Sequence, residues 1–90
     1  MIKTPSGIYI NQKIGRFLFI ARENAGFSVE AAAKKLRYRS ESLLAAYESG
    51  KIGIPCCEFA RAIETYRVSL LMTHKFILEL QIEVCRLRKN

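Results

Sequence analysis

Ninety residues, half of them apolar, suffice for one small domain with a compact core and no need of metals or disulfides; a chain this short buries about 60–65% of its unfolded surface. Fifteen Lys and Arg against eight acids, all of them Glu, leave a formal charge of +7, which favours nucleic acid or an anionic surface as partner. The opening MIKTPSGIYI lacks the pattern of a secretory signal, and the longest strictly apolar run, residues 17–21, falls far short of the ~20 residues of a membrane span, so no membrane and a cytoplasmic location are expected.

Residues 1–10 contain Pro5, Ser6 and Gly7 and should begin as a flexible arm. The alternation of Ile8, Tyr9 and Ile10 allows a short extended piece that either pairs with a second copy or covers the core, and Lys3 offers a phosphate contact. Asn11 is placed to cap a first helix over residues 12–24. There Ile14, Phe17, Leu18 and Ala21 make the i, i+3, i+4, i+7 stripe of a buried face, widened by Phe19 and Ile20. Gly26 ends it.

Ser28 is a natural N-cap for the run VEAAAKKL, made largely of good helix formers. Ala32, Ala33 and Leu36 give this helix, residues 29–36, a narrow apolar face. Lys34, Lys35, Arg37 and Arg39 then place four cations in six residues, with Tyr38 among them. Ser40 offers a cap for a third helix at residues 41–49, whose inward face is Leu43, Leu44 and Tyr47. Gly50 stops it, since glycine enters the left-handed region without penalty. A small-residue helix, a tight turn and a second capped helix make a helix-turn-helix, which docks its second helix in the DNA major groove. In that frame Lys34, Lys35, Arg37, Tyr38, Arg39, Ser40 and Lys51 are the expected phosphate contacts. The outward residues of the third helix, Glu41, Ser42, Ala45, Ala46 and Ser49, are the expected base-facing set. They are small, so the backbone can sit deep, with Ser able to bond base edges and an Ala methyl able to touch a thymine methyl. The face holds no Gln, Asn or Arg.

Pro55 suits the first position of a fourth helix. Phe59, Ala62, Ile63 and Tyr66 repeat the buried spacing and leave Glu58, Arg61 and Glu64 outside. Val68 and Ser69 close the unit, with Ser69 a cap for a long last helix over residues 70–88. Leu70, Thr73, Ile77, Leu80, Val84 and Leu87 alternate by threes and fours, nearly three heptads of a seam, which makes this helix the expected dimerisation surface or a cover for its own domain. Arg86, Arg88 and Lys89 suit the helix C-terminal dipole. Cys56, Cys57 and Cys85 are expected as buried apolar thiols. With His74 they match no metal-ligand spacing, and no catalytic constellation surrounds that histidine, so no metal, cofactor or enzymatic activity is expected.

The ordered set AGFSVEAAA at residues 25–33 and YESG at residues 47–50 resembles the Cro/C1-type (XRE) helix-turn-helix family, with similarity from Ile14 to about Ser69. The resemblance implies an all-α, five-helix, lambda-repressor-like helix-turn-helix domain with an extended C-terminal helix. It divides the chain into an arm at 1–10, the DNA-binding domain at 11–69 and an amphipathic helix at 70–90. It also implies an ion pair of Arg22 with Glu48, base contacts from Glu41, Ser42 and Ala46, and pairing as a homodimer. The function so implied is a sequence-specific transcriptional regulator of double-stranded DNA. The alternative is an interaction module for a protein partner, antitoxin-like or a co-regulator, that keeps the fold without base readout.

Overall fold

The computed structural model describes residues 5–88 and contains five helices: α1 (Pro5–Ala25), α2 (Val29–Lys35), α3 (Glu41–Ser49), α4 (Cys56–Thr65) and α5 (Leu70–Arg88). The architecture is all-α, with no strand among the described residues.

The first helix corrects the expected arm. It begins at Pro5 rather than at residue 12, so Ile8, Tyr9 and Ile10 are helical and Asn11 lies inside the helix instead of capping it. The buried stripe runs further back than the sequence reading placed it: half-buried Ile10 precedes Ile14, Phe17 and Leu18 at helical spacing. The Lys13 ammonium also lies over the Tyr9 ring at 5.4 Å, an i, i+4 pair of the kind that a helix brings together. The arm's first four residues and its Lys3 contact lie outside the described residues, as does Lys89.

Four helix ends are built alike. After α1 the Phe27 amide donates to the Arg22 carbonyl and the Gly26 amide to Glu23. The same pair of bonds closes α2 at Arg37 and Tyr38, α3 at Gly50 and Lys51, and α4 at Arg67 and Val68. Each needs a left-handed residue. Glycine supplies it at Gly26 and Gly50, whereas Arg37 and Arg67 take it with φ of 60° and 56°. At the helix starts, Ser28 accepts from the Ala31 amide and Ser69 from the Met72 amide. Ser40 has the extended backbone of an N-cap but its hydroxyl makes no cap bond. Pro55 stands one residue before α4, at the N-cap, rather than at its first helical position.

The core joins Leu18 and Ala21 of α1, Ala32, Ala33 and Leu36 around α2, Leu44 of α3, and Ala62 and Tyr66 at α4. The alanines of α2 keep its buried face thin, which lets neighbouring backbones close in. The tightest approach is between α1 and α3. A methyl group at Gly15 would collide with the Tyr47 and Glu48 carbonyl groups, and one at Gly50 would come within 2.6 Å of the Gln12 Cα. Backbone there meets backbone.

The last helix is held by aromatic stacking. Phe76 lies on Phe17 with ring centroids 4.1 Å apart, and Phe59 joins the stack. This packing divides the residues of the expected seam. Thr73 is buried and Leu80, Val84 and Leu87 are half-buried, while Leu70 and Ile77 are exposed. The three cysteines also correct expectation, for all are exposed. Cys56 and Cys57 occupy the first turn of α4, ahead of its buried stripe, and Cys85 lies on the outer side of α5.

Candidate nucleic-acid interface

Lys34 and Lys35 close α2, and Arg37 and Arg39 follow in the turn; all four side chains are exposed, and none forms an ion pair among the described residues. Lys34 and Lys35 suit the negative end of the α2 dipole, while the left-handed backbone of Arg37 turns the chain sharply toward α3. Lys51 is exposed just beyond α3, and its backbone amide donates to the Ala46 carbonyl at 3.0 Å.

Along the chain, α3 and its outer face lie between these four cations and Lys51. Glu41, Ser42, Ala45 and Ser49 are exposed and Ala46 is half-buried, opposite buried Leu44 and Tyr47. The face is therefore as smooth as its sequence suggests. Ser49 is partly committed at home, since its hydroxyl donates to the Ala46 carbonyl at 3.2 Å and accepts from the Lys51 amide at 3.3 Å. Ser40 keeps an exposed hydroxyl at the start of the same helix.

Tyr38 is the exception among the expected phosphate contacts. Its hydroxyl donates to Glu58 Oε1 at 3.0 Å, and its ring meets Tyr47 edge-on with centroids 6.0 Å apart. Burial, together with the adjacent Glu58 carboxylate, holds its phenol well above the ordinary tyrosine range. The tyrosine side chain packs against protein. Spacing along α4 left Glu58 and Arg61 outside, and Arg61 is exposed as expected, but Glu58 is half-buried against the turn, and its bond to Tyr38 was not legible in the sequence.

α3 is oriented from behind by Arg22. This residue is 4% exposed, and its guanidinium donates from Nε to Glu48 Oε2 at 2.7 Å and from Nη2 to Oε1 at 3.2 Å. A third bond, Nη1 to the Phe27 carbonyl at 2.8 Å, ties the α1–α2 turn to the same group. One buried side chain thus links α1, the entry to α2 and the end of α3, and the Glu48 charge it neutralises lies away from the outer face. Gly15 is a second positioning residue that sequence reasoning missed, because a glycine inside a helical run signals nothing about what crosses it.

Among the described residues no helix is long and apolar enough to cross a membrane, and no group of three or more His, Cys, Asp or Glu gathers as metal ligands would. A family model described as a helix-turn-helix domain matches residues 13–74. No curated protein and no solved structure matches the chain.

Proposed function

The chain belongs to the helix-turn-helix domain family, and from that premise we propose that it is a cytoplasmic, sequence-specific transcriptional regulator that binds double-stranded DNA. α3 enters the major groove and offers Ser42, Ala45 and Ala46 to base edges, with Glu41 and Ser49 at its two ends. Lys34, Lys35, Arg37, Arg39 and Lys51 hold phosphates on either side, and the Ser40 hydroxyl adds a neutral donor. The observation that carries this reading is the flank of exposed cations beside a smooth, exposed helix face. Cations in that position lower the energy of phosphates while leaving the helix free to enter.

A second copy pairs through α5 in this proposal, which places two reading helices on one duplex. Exposed Leu70, Leu71, Met72, Ile77, Leu78 and Ile82 support it. The same apolar face favours a second reading, in which α5 takes a different protein and the α3 face, without Gln, Asn or Arg, reads no bases.

Selection from a random duplex pool across a range of salt separates the two. Enrichment of a palindromic site, with affinity falling steeply as salt rises, supports the regulator. Salt-sensitive binding without enrichment supports the interaction module. The double variant Arg37→Glu, Arg39→Glu is expected to weaken duplex binding at least about tenfold and to reduce the salt slope by roughly two. Unchanged affinity with intact helical circular dichroism would reject this docking face.

A further inference from the structure

Arg37 stands in the left-handed region at φ 60°, and a residue with a Cβ persists there only when its surroundings hold it. Its two chain neighbours are both fastened to α4. On one side Arg61 Nη2 donates to the Leu36 carbonyl at 2.8 Å. On the other, the Tyr38 hydroxyl donates to Glu58 Oε1 at 3.0 Å. Arg61 Nη1 in turn donates to both Glu58 oxygens, at 3.1 and 3.3 Å. The two fastenings are therefore one unit on a single face of α4, and the edge-on contact of Tyr38 with Tyr47 carries it to α3.

We infer that Glu58 and Arg61 are positioning residues for the nucleic-acid contact: they clamp the turn on both sides of Arg37, so that Arg37 and Arg39 meet phosphates in one fixed arrangement. The inference rests on the DNA-binding reading above and specifies what orients its cations. A loose basic loop must be ordered when it binds, and that lost freedom is subtracted from affinity. A clamped loop has already been ordered by folding. Glu58 is an acid in direct contact with the turn, and with both oxygens engaged by Tyr38 and Arg61 it is drawn inward instead of competing for the exposed cations.

The test uses Tyr38→Phe and Glu58→Ala in two measurements, amide exchange at residues 37–39 of the free protein and duplex binding across salt. Exchange there is expected to rise about fivefold, the net worth of one hydrogen bond, while amides of α1 and α3 keep their rates. Duplex affinity should fall by about the same factor in both variants, with the salt slope unchanged in Tyr38→Phe because no cation is lost. Glu58→Ala is the sharper case: by charge alone, removing an acid beside a DNA-binding face strengthens binding, whereas the clamp predicts weakening. Adding Arg37→Ala to Tyr38→Phe should lose less affinity than the two single losses combined. Additive losses, or tighter binding by Glu58→Ala, would overturn the positioning role. Unchanged exchange in both variants would overturn the clamp whatever the DNA result. A wild-type protein that binds no duplex at low salt would instead overturn the DNA reading, and the exchange comparison in free protein tells the two failures apart.

Discussion

At the scale of single residues, the Arg22 and Tyr66 side chains show how differently two buried polar groups are treated. Arg22 has three hydrogen bonds to carboxylate and carbonyl oxygens. The Tyr66 hydroxyl is buried near that pair and has no hydrogen-bond partner among the described residues. Burial and then the Glu48 charge push its phenol up to about 12. A phenol raised in the folded state stabilises the fold fully below the unfolded value near 10 and progressively less as pH climbs toward 12, because the unfolded chain sheds the proton first. Stability should therefore fall between pH 10 and 12, and Tyr66→Phe should flatten that fall. At neutral pH the same substitution should leave the melting temperature unchanged or raise it, since an unsatisfied hydroxyl is removed from the core. A marked loss of stability at neutral pH would show that the hydroxyl has a partner. Arg22 and Glu48 could be paired from the sequence only through a resemblance, for 26 residues separate them and no local pattern spans that distance.

At the scale of elements, boundaries were legible wherever a cap or a stop residue marks them. Ser28, Ser69 and Gly50 act at the ends of helices as their chemistry suggests. The start of α1 was not legible, because Pro5, Ser6 and Gly7 look like loop punctuation and Ile8–Tyr9–Ile10 alternates like a strand. A propagating helix with a stripe to bury overrides both signals. The left-handed stops at Arg37 and Arg67 were equally hidden, since arginine does not advertise that conformation. They make a clean comparison. Arg67→Gly should stabilise the domain by about 0.5–1 kcal/mol, seen as a melting temperature a few degrees higher in thermal unfolding. A lower melting temperature would mean that the Arg67 side chain contributes more than its backbone strain removes. Arg37→Gly is a poorer probe, because it also discards an exposed cation.

For the whole molecule, the proposed division of labour is between a basic face around α2 and α3 and a nearly neutral, apolar face on α5. Between Leu70 and Leu87 two acids, Glu79 and Glu83, balance Lys75 and Arg86, so two copies can approach there despite the chain's net charge. The 3,4 spacing along α5 was legible in the sequence, but which of its members pack against the domain was not. The Phe17–Phe76 stack sets the rotation of α5, burying Thr73 and leaving Leu80, Val84 and Leu87 half-buried. Exposed Leu71 and Leu78, one heptad apart, are the better handles. Leu71→Glu with Leu78→Glu should convert a dimer to a monomer in sedimentation while helical content stays the same. A wild-type chain already monomeric at high protein concentration would remove the pairing proposal.

The meeting of α1 and α3 through bare backbone has a mechanical meaning. Where side chains separate two helices, a change of rotamer can tilt one against the other by a few degrees. At Gly15 the helices meet with no such adjustable layer, at Gly50 the Gln12 backbone lies as close, and the Arg22 bonds brace the same joint from the side. In the proposed complex the reading helix acts as a stiff key, so any accommodation of fit falls to the duplex. Binding preference would then be shaped by how readily a given DNA sequence bends or alters its groove width, including at base pairs that no side chain touches.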